Sequence, residues 1–279
     1  MTMQMSEHEF QLFRDLIHKE CGLSFGDNKK TFLSIRVGKR VAARNLSSYY
    51  GYYRYLKEGG TERRTELLLL LDALTINETG FFRNRPQFRL FEEVVLPELV
   101  AANASLTSRR LRIWSAGCAT GEEPYSIAMS LLEVLPLPNQ WKIEIFASDL
   151  SLTALEKAFR GIYAQRRVED IDPGRRQKYF LTHGEDHVVR EIVKRLVIFD
   201  FHNLVHDNGL RELDVIFCRN VLIYFDPNEQ AKVLTRFIRA LKPGGYLFLG
   251  HSESVLGLTE DLKFVHREKG TAYRKVEAA

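Results

Sequence analysis

Glu122, Glu123 and Asp149 are the acids of this chain whose surroundings say most about chemistry. The first two open a helical run over 125–135, directly after the turn Ala-Gly-Cys-Ala-Thr-Gly (116–121). That turn follows Leu-Arg-Ile-Trp-Ser (111–115), whose alternation predicts a strand. Asp149 closes a second predicted strand over 142–147 that ends in Ser148-Asp149. Strand, glycine turn, helix, strand, acid is the sequence form of a βαβ unit that holds a nucleoside. Gly117 and Gly121 permit a sharp turn and the close approach of a ligand. An acid just past the second strand accepts hydrogen bonds from both hydroxyls of a ribose. A doubly wound fold needs a glycine turn here even without a ligand, so the unit alone leaves that reading open.

The details narrow the nucleoside. The turn lacks the G-x-G-x-x-G spacing of dinucleotide sites, and no G-K-[ST] follows it. Two carboxylates at a helix start suit the helix dipole but repel a pyrophosphate. They attract an amino group or a sulfonium. S-adenosylmethionine carries a ribose, an ammonium and a sulfonium and no phosphate, and it is the cofactor this pattern points to.

Two other segments bring polar groups to the same place. Thr75-Ile-Asn77-Glu78-Thr79-Gly80-Phe81-Phe82-Arg83 combines hydrogen-bonding side chains with two adjacent phenylalanines that need burial. A linker pinned into a cleft reconciles the two; a buried interdomain hinge is the alternative. The predicted strand 213–218 runs into Arg219-Asn220-Val221-Leu-Ile-Tyr224. Ligands on open α/β sheets bind off the carboxyl ends of strands, so Arg219, Asn220 and Tyr224 fall at the cleft.

The elements that position these residues divide the chain in three. Residues 1–75 read as a helical docking domain, 76–90 as a linker contributing to the cleft, and 91–279 as the α/β domain. Ser6 and Glu9 have capping-box spacing, and Phe10, Phe13, Leu16 and Ile17 recur at helical intervals. Further helices are predicted over 29–44, over 48–57 and from about 61 through the leucines 67–71. In the second of these, Arg36, Lys39, Arg40 and Arg44 share one face, with Ile35, Val37 and Val41 toward the other. No acid is interleaved, so the stripe reads as a docking surface for an acidic partner; a solvated face is the plainer alternative. Residues 163–195 break the strand–helix alternation and read as a small antiparallel insertion. A hairpin through Phe264-Val265 and 271–274 closes the sheet. The predicted fold is α/β: a Rossmann-like methyltransferase sheet with an inserted antiparallel β-subdomain and a separate all-α N-terminal domain.

Bulk properties are permissive. At 279 residues and 45% hydrophobic, the chain can fill two cores. A net charge of +4 allows nucleic acid or an acidic protein as partner and demands neither. Cys21, Cys118 and Cys218 have no metal-type spacing and suggest a reducing compartment; with no signal peptide evident, the expected location is cytoplasmic. Cys118 and Cys218 are expected to be small buried apolar residues. The pairs His183/His187 and His202/His206 lack a third ligand, so no metal is predicted.

Taken together, the segments 75–83, 114–126 (W-S-A-G-C-A-T-G-E-E-P-Y-S), 146–149, 217–225 (F-C-R-N-V-L-I-Y-F) and 250–253 (G-H-S-E) resemble the CheR family of chemotaxis receptor methyltransferases over essentially the whole chain. The resemblance implies methyl esterification of glutamate side chains on the cytoplasmic helices of chemoreceptors. It implies that Asn77, Thr79 and Arg83 contact the amino-acid end of the cofactor, and that Glu123 and Asp149 hold its ammonium and ribose. It implies that Asn203 and Leu204 border the adenine, that Asn220 and Val221 complete the pocket, and that Tyr224 lies beside the methyl group. Arg83 and Tyr224 are then the catalytic pair, the first as cofactor anchor and the second shaping the methyl channel. The stripe Arg36, Lys39, Arg40 and Arg44 would dock the acidic receptor segment. Some members also grip a peptide at the receptor's C-terminus through the β-subdomain; here the 182–187 connection is short, and independence from that tether is expected. The expected protein is a monomer that binds neither nucleic acid nor membrane. An RNA methyltransferase is the alternative, but amine-methylating enzymes place an N-P-P-Y-like motif where this chain has Arg219-Asn220-Val221-Leu222. A non-catalytic cofactor sensor is a third reading, opposed by the joint presence of Arg83, Asp149 and Tyr224.

Overall fold

The computed structural model describes residues 4–103, 109–255, 259–268 and 270–277. Four helices come first: α1 (Glu7–Cys21), α2 (Lys30–Ala43), α3 (Tyr49–Glu58) and α4 (Glu62–Leu74). The predicted capping box starts α1: Ser6 Oγ accepts from Glu9 N at 3.2 Å, and Glu9 Oε2 accepts from Ser6 N at 2.8 Å. Gly22, at φ +73°, stops the helix in the left-handed conformation that a side chain would resist. Phe10, Phe13, Leu33, Val37, Val41, Tyr52 and Leu70 close into one core. Ile35 is not part of it and stands 56% exposed.

Within the 76–90 span a helix begins at Arg85. Pro86 sits in the first turn of α5 (Arg85–Leu90), where its missing N–H costs no helical bond. A π-turn (Phe91–Val95) continues into α6 (Leu96–Asn103). The βαβ unit follows as predicted: β1 (Arg110–Ala116), α7 (Glu122–Val134) and β2 (Lys142–Asp149), then α8 (Leu152–Arg160). The insertion is a three-stranded antiparallel sheet, β3 (Ile162–Ala164), β4 (Phe180–His183) and β5 (Asp186–Val189), in the order β3-β5-β4. It carries α9 (Gln165–Val168) and α10 (Pro173–Tyr179), and α11 (Glu191–Lys194) leads out of it.

The chain then completes the main sheet with β6 (Val197–Phe201), β7 (Leu213–Cys218), α12 (Pro227–Ala240), β8 (Leu241–Leu249), β9 (Leu262–Arg267) and β10 (Gly270–Lys275). The strand order is β6-β2-β1-β7-β8-β10-β9. The first five are parallel, and β10 pairs antiparallel with both β8 and β9. Side chains alternate across the sheet. Val215 and Phe217 pack under α5 to α7 with Phe88, Phe91 and Met129, while Ile216 and Cys218 face α12 through Val233 and Phe237. Such two-sided burial is what a parallel sheet requires. It leaves the carboxyl ends of β1, β2, β6 and β7 as the place for a ligand, where the order reverses beside β1.

Candidate active site

A cavity of about 370 Å³ opens at those strand ends. Its floor is the loops after β1, β2, β6 and β7, and its roof is the linker together with the α1–α2 connection. Asn77, Thr79, Arg83, Glu123, Asp149, Asn203, Leu204, Asn220, Val221 and Tyr224 all line it. Chain segments far apart in sequence therefore meet in one place.

The glycine turn builds one wall. Gly117 has φ +82°, and a Cβ there would lie 2.4 Å from Val221 Cγ2. Gly121 has φ +93°, and its Cβ would strike Ala158 at 2.8 Å. The absent side chains thus make room for the protein's own packing. The turn is tied to β2 by Gly117 N and Cys118 N, which both donate to Ser148 O.

Asp149 is held from both sides. Its Oδ2 accepts from Ala119 N and its Oδ1 from Ser151 N, each at 2.8 Å. Each oxygen keeps a lone pair for a further donor. Burial pushes this carboxyl above its ordinary pKa, against the pull of those backbone donors.

The paired acids separate. Glu122 is fully buried away from the cavity, where it accepts from Arg167 Nε at 3.0 Å and Thr120 Oγ1 at 2.7 Å. It is structural and offers nothing to a ligand. Glu123 faces the cavity, with Ser115 Oγ at 2.7 Å and Arg219 Nη1 at 3.3 Å. Burial raises its pKa despite the attraction of Arg219. Two buried carboxylates whose charge is under-compensated are a receptacle for a cation.

Arg219 also joins this wall to the linker by donating Nη2 to Arg83 O. The Arg83 side chain lies at the mouth, partly exposed, with Nη1 on Glu78 O at 2.7 Å. Phe81 and Phe82 are anchored as expected. Phe81 meets Tyr163 and Phe180 of the insertion edge-on at 4.9 and 5.3 Å, and Phe82 packs on Phe88 at 5.2 Å. Asn203 is already engaged: its Nδ2 donates to Glu20 O at 2.8 Å and its Oδ1 accepts from Val205 N. Its place beside the cavity stands, but its side chain holds the loop to α1.

Two members of the expected docking stripe already have acidic partners. Arg40 makes two 2.9 Å hydrogen bonds to Glu66, a carboxylate only 2% exposed that also accepts from Tyr52 Oη at 2.7 Å. Arg44 is paired with Glu62 at 2.9 Å and Tyr55 at 2.6 Å. Acids were absent from the stripe in sequence and arrive from α4 in space. Arg36, stacked 5.3 Å over Phe32, and the exposed Lys39 have no acid within salt-bridge distance among the described residues.

Two groups of residues were not foreseen. Cys21, Leu23, Phe25, Lys29 and Phe32 of the helical domain line the cavity. Glu253 brackets the loop after β7, accepting from Gly250 N (2.6 Å), Asn220 N (2.9 Å) and Ile223 N (3.2 Å). The G-H-S-E segment contained that residue without revealing its partners. Cys118 and Cys218 are buried free thiols, as expected. Among the described residues there is no group of three or more His, Cys, Asp or Glu side chains able to hold a metal, and no helix long and apolar enough to cross a membrane.

The strand order, the glycine turn and the buried carboxylates of the cleft fit a methyltransferase-type α/β domain. Comparison with known families agrees. Residues 77–271 match the CheR methyltransferase, SAM binding domain, and residues 8–75 match the CheR methyltransferase, all-alpha domain. A chemotaxis protein methyltransferase of Vibrio parahaemolyticus is 38% identical over 282 residues, covering 98% of both chains. Chemotaxis protein methyltransferase 1 of Pseudomonas aeruginosa is 36% identical over 98% of this chain and 99% of its own. The Escherichia coli chemotaxis protein methyltransferase is 36% identical over 90% of this chain and 86% of its own. The chain belongs to the CheR methyltransferase family, and its cofactor is S-adenosylmethionine.

Proposed function

We propose that this chain transfers the methyl group of S-adenosylmethionine to glutamate carboxylates on chemoreceptor cytoplasmic helices. The observation that carries the reading is a division of charge. Buried carboxylates, Glu123 and Asp149, line the inside of the cleft, the first paired to Arg219, while Lys29 and Arg83 line it where their side chains reach solvent. Such a cleft takes a cationic cofactor inside and an anionic substrate from outside.

In this reading Asp149 binds the ribose hydroxyls, Glu123 the ammonium, and Asn77, Thr79 and Arg83 the amino-acid end. Leu204 and the backbone at Asn203 border the adenine, with Asn220 and Val221 closing the pocket. When bound, the cofactor supplies an electrophilic methyl on a sulfonium. The chain needs no general base, because a glutamate with a pKa of about 4.3 is already ionised at neutral pH. Its residues supply alignment, worth roughly 7–11 kcal/mol when reacting groups are held in line. Arg83 anchors the cofactor carboxylate without blunting the nucleophile, and Tyr224 shapes the channel.

Lys29, Phe32, Arg36 and Lys39 follow one another at offsets of three, four and three, a single line on α2 and the turn before it. The line starts at the cavity, so an acidic helix lying along it delivers a side chain to the mouth. In this reading the line takes the place of the stripe Arg36, Lys39, Arg40 and Arg44. The β4–β5 connection is the two-residue turn Gly184-Glu185, with Gly184 at φ +61°. So short a turn supports independence from a C-terminal receptor peptide; calorimetric heat from an isolated tethering pentapeptide would refute that part.

The test is chemical. Receptor fragments incubated with methyl-labelled cofactor and this protein should carry label that leaves as methanol in mild alkali. Label that survives alkali marks a methylated amine or base and overturns the proposal.

A further inference from the structure

One carboxylate of the helical domain hydrogen-bonds a residue that also holds two side chains of the cleft. Asp72, near the end of α4, accepts from Ser151 Oγ at 2.5 Å, Thr153 N at 3.0 Å and Thr153 Oγ1 at 2.8 Å. Ser151 is the N-cap of α8 and is fully buried. Its N–H fixes Asp149 Oδ1, while its hydroxyl accepts from Asn77 Nδ2 at 3.2 Å and from Ala154 N at 3.0 Å. A hydroxyl has one proton and two lone pairs, and here all three are used. Asp72 takes the proton, so it dictates how the hydroxyl is turned and which lone pair meets Asn77.

We infer that Asp72 is a positioning residue for the cofactor: through Ser151 it holds Asn77 and Asp149 in register, and the cofactor site is complete only when the helical domain is seated. The inference rests on the reading above that Asp149 and Asn77 bind S-adenosylmethionine. Asp72 hydrogen-bonds neither residue: Ser151 carries the effect, its hydroxyl to Asn77 and its backbone N–H to Asp149, and the charge of Asp72 also acts on Asp149 across the short gap. Two other observations agree. Leu23 and Phe25 of the helical domain line the same cavity, and Glu20 O accepts the side chain of Asn203 from the loop after β6. Coupling of this kind is reciprocal. Cofactor binding tightens the seating of the helical domain, and whatever docks on that domain changes cofactor affinity by the same factor.

The experiment is calorimetric titration of S-adenosylhomocysteine into the full chain and five variants, with steady-state kinetics alongside. Asp72→Ala should weaken binding about tenfold, the scale of one hydrogen bond to a charged group. It should raise the KM for S-adenosylmethionine and leave the KM for receptor unchanged. Asp72→Asn keeps an acceptor oxygen for Ser151 and should restore most of the affinity. Ser151→Ala removes the junction from the other side and should weaken binding as Asp72→Ala does, which keeps the test decisive if that variant folds poorly. His18→Ala removes a different interdomain contact, Nε2 to Asp226 Oδ2 at 2.6 Å, which does not reach Ser151. It should weaken binding clearly less than Asp72→Ala does. Wild-type affinity in both Asp72→Ala and Ser151→Ala overturns the inference, and so does equal weakening in His18→Ala, which would mark loose domain seating only. Asp149→Asn separates the two levels: undiminished binding there sinks the ribose assignment and the inference with it, whereas lost binding beside an indifferent Asp72→Ala sinks the inference alone.

Discussion

Replacing Gly117 by alanine probes the wall of the cleft with a single methyl group. The new Cβ meets two penalties. At φ +82° an L-residue is in the left-handed region, which costs about 1–2 kcal/mol. The methyl would also sit 2.4 Å from Val221 Cγ2, where carbon atoms in good contact are about 3.5–4.0 Å apart. Val221 is β-branched and has few rotamers to escape into. Its displacement costs about 1–3 kcal/mol as ordinary overpacking does. The sum is about 2–5 kcal/mol, and because Val221 lines the cavity the cofactor should feel it too. The strain and the collision can be separated. Val221→Ala in the Gly117→Ala background removes the colliding atom and leaves the φ strain, so a double-mutant cycle should return a favourable coupling of about 1–3 kcal/mol. Urea denaturation of the four proteins measures it. An alanine at 117 that leaves the midpoint unchanged, or a cycle with no coupling, would show that the wall is not packed as described.

Three other expectations follow from the site. Arg83→Ala should lower kcat/KM by about 100-fold with little change in melting temperature, since misplacement of a bound reactant costs that much and the side chain is partly exposed; an unchanged kcat/KM for S-adenosylmethionine refutes its role. Burial holds the Glu123 pKa above its ordinary value in the free protein, and a bound ammonium would lower it. Affinity for S-adenosylhomocysteine should therefore fall as pH drops through the free-protein pKa, beginning above the usual carboxylate range; calorimetry that finds constant affinity down to that range contradicts the assignment. Arg40→Glu sets a carboxylate against buried Glu66 and should destabilise the helical domain by about 3–5 kcal/mol, whereas Lys39→Glu should leave the melting temperature alone and raise the receptor KM, more so at low salt.

The sheet was legible because its signals are local. The alternation in β1, the Gly117–Gly121 turn and the apolar run of β7 each occupy fewer than a dozen residues. The converging site was legible too, since loops at strand ends must meet in an open α/β fold. What escaped was partnership across the chain. Arg40 looks free until Glu66 arrives from α4, and Glu122 looks like a ligand until Arg167 arrives from the insertion. Nothing near Asp72 in sequence announces Ser151 and Thr153, which lie beyond the whole βαβ unit. The helix from Arg85 had a usable signal in Pro86, with Phe88, Phe91, Val95 and Leu99 at helical spacing behind it. Two adjacent aromatics drew the reading toward a linker pinned into the cleft over 76–90 instead.

The most direct measurement is a crystal structure of this chain grown with S-adenosylhomocysteine. It should show the ribose hydroxyls on Asp149, the ammonium facing Glu123, and the sulfur directed to the opening between Arg83 and Tyr224. A cleft that stays empty at saturating ligand, or one that seats the sulfur away from that opening, would contradict the account.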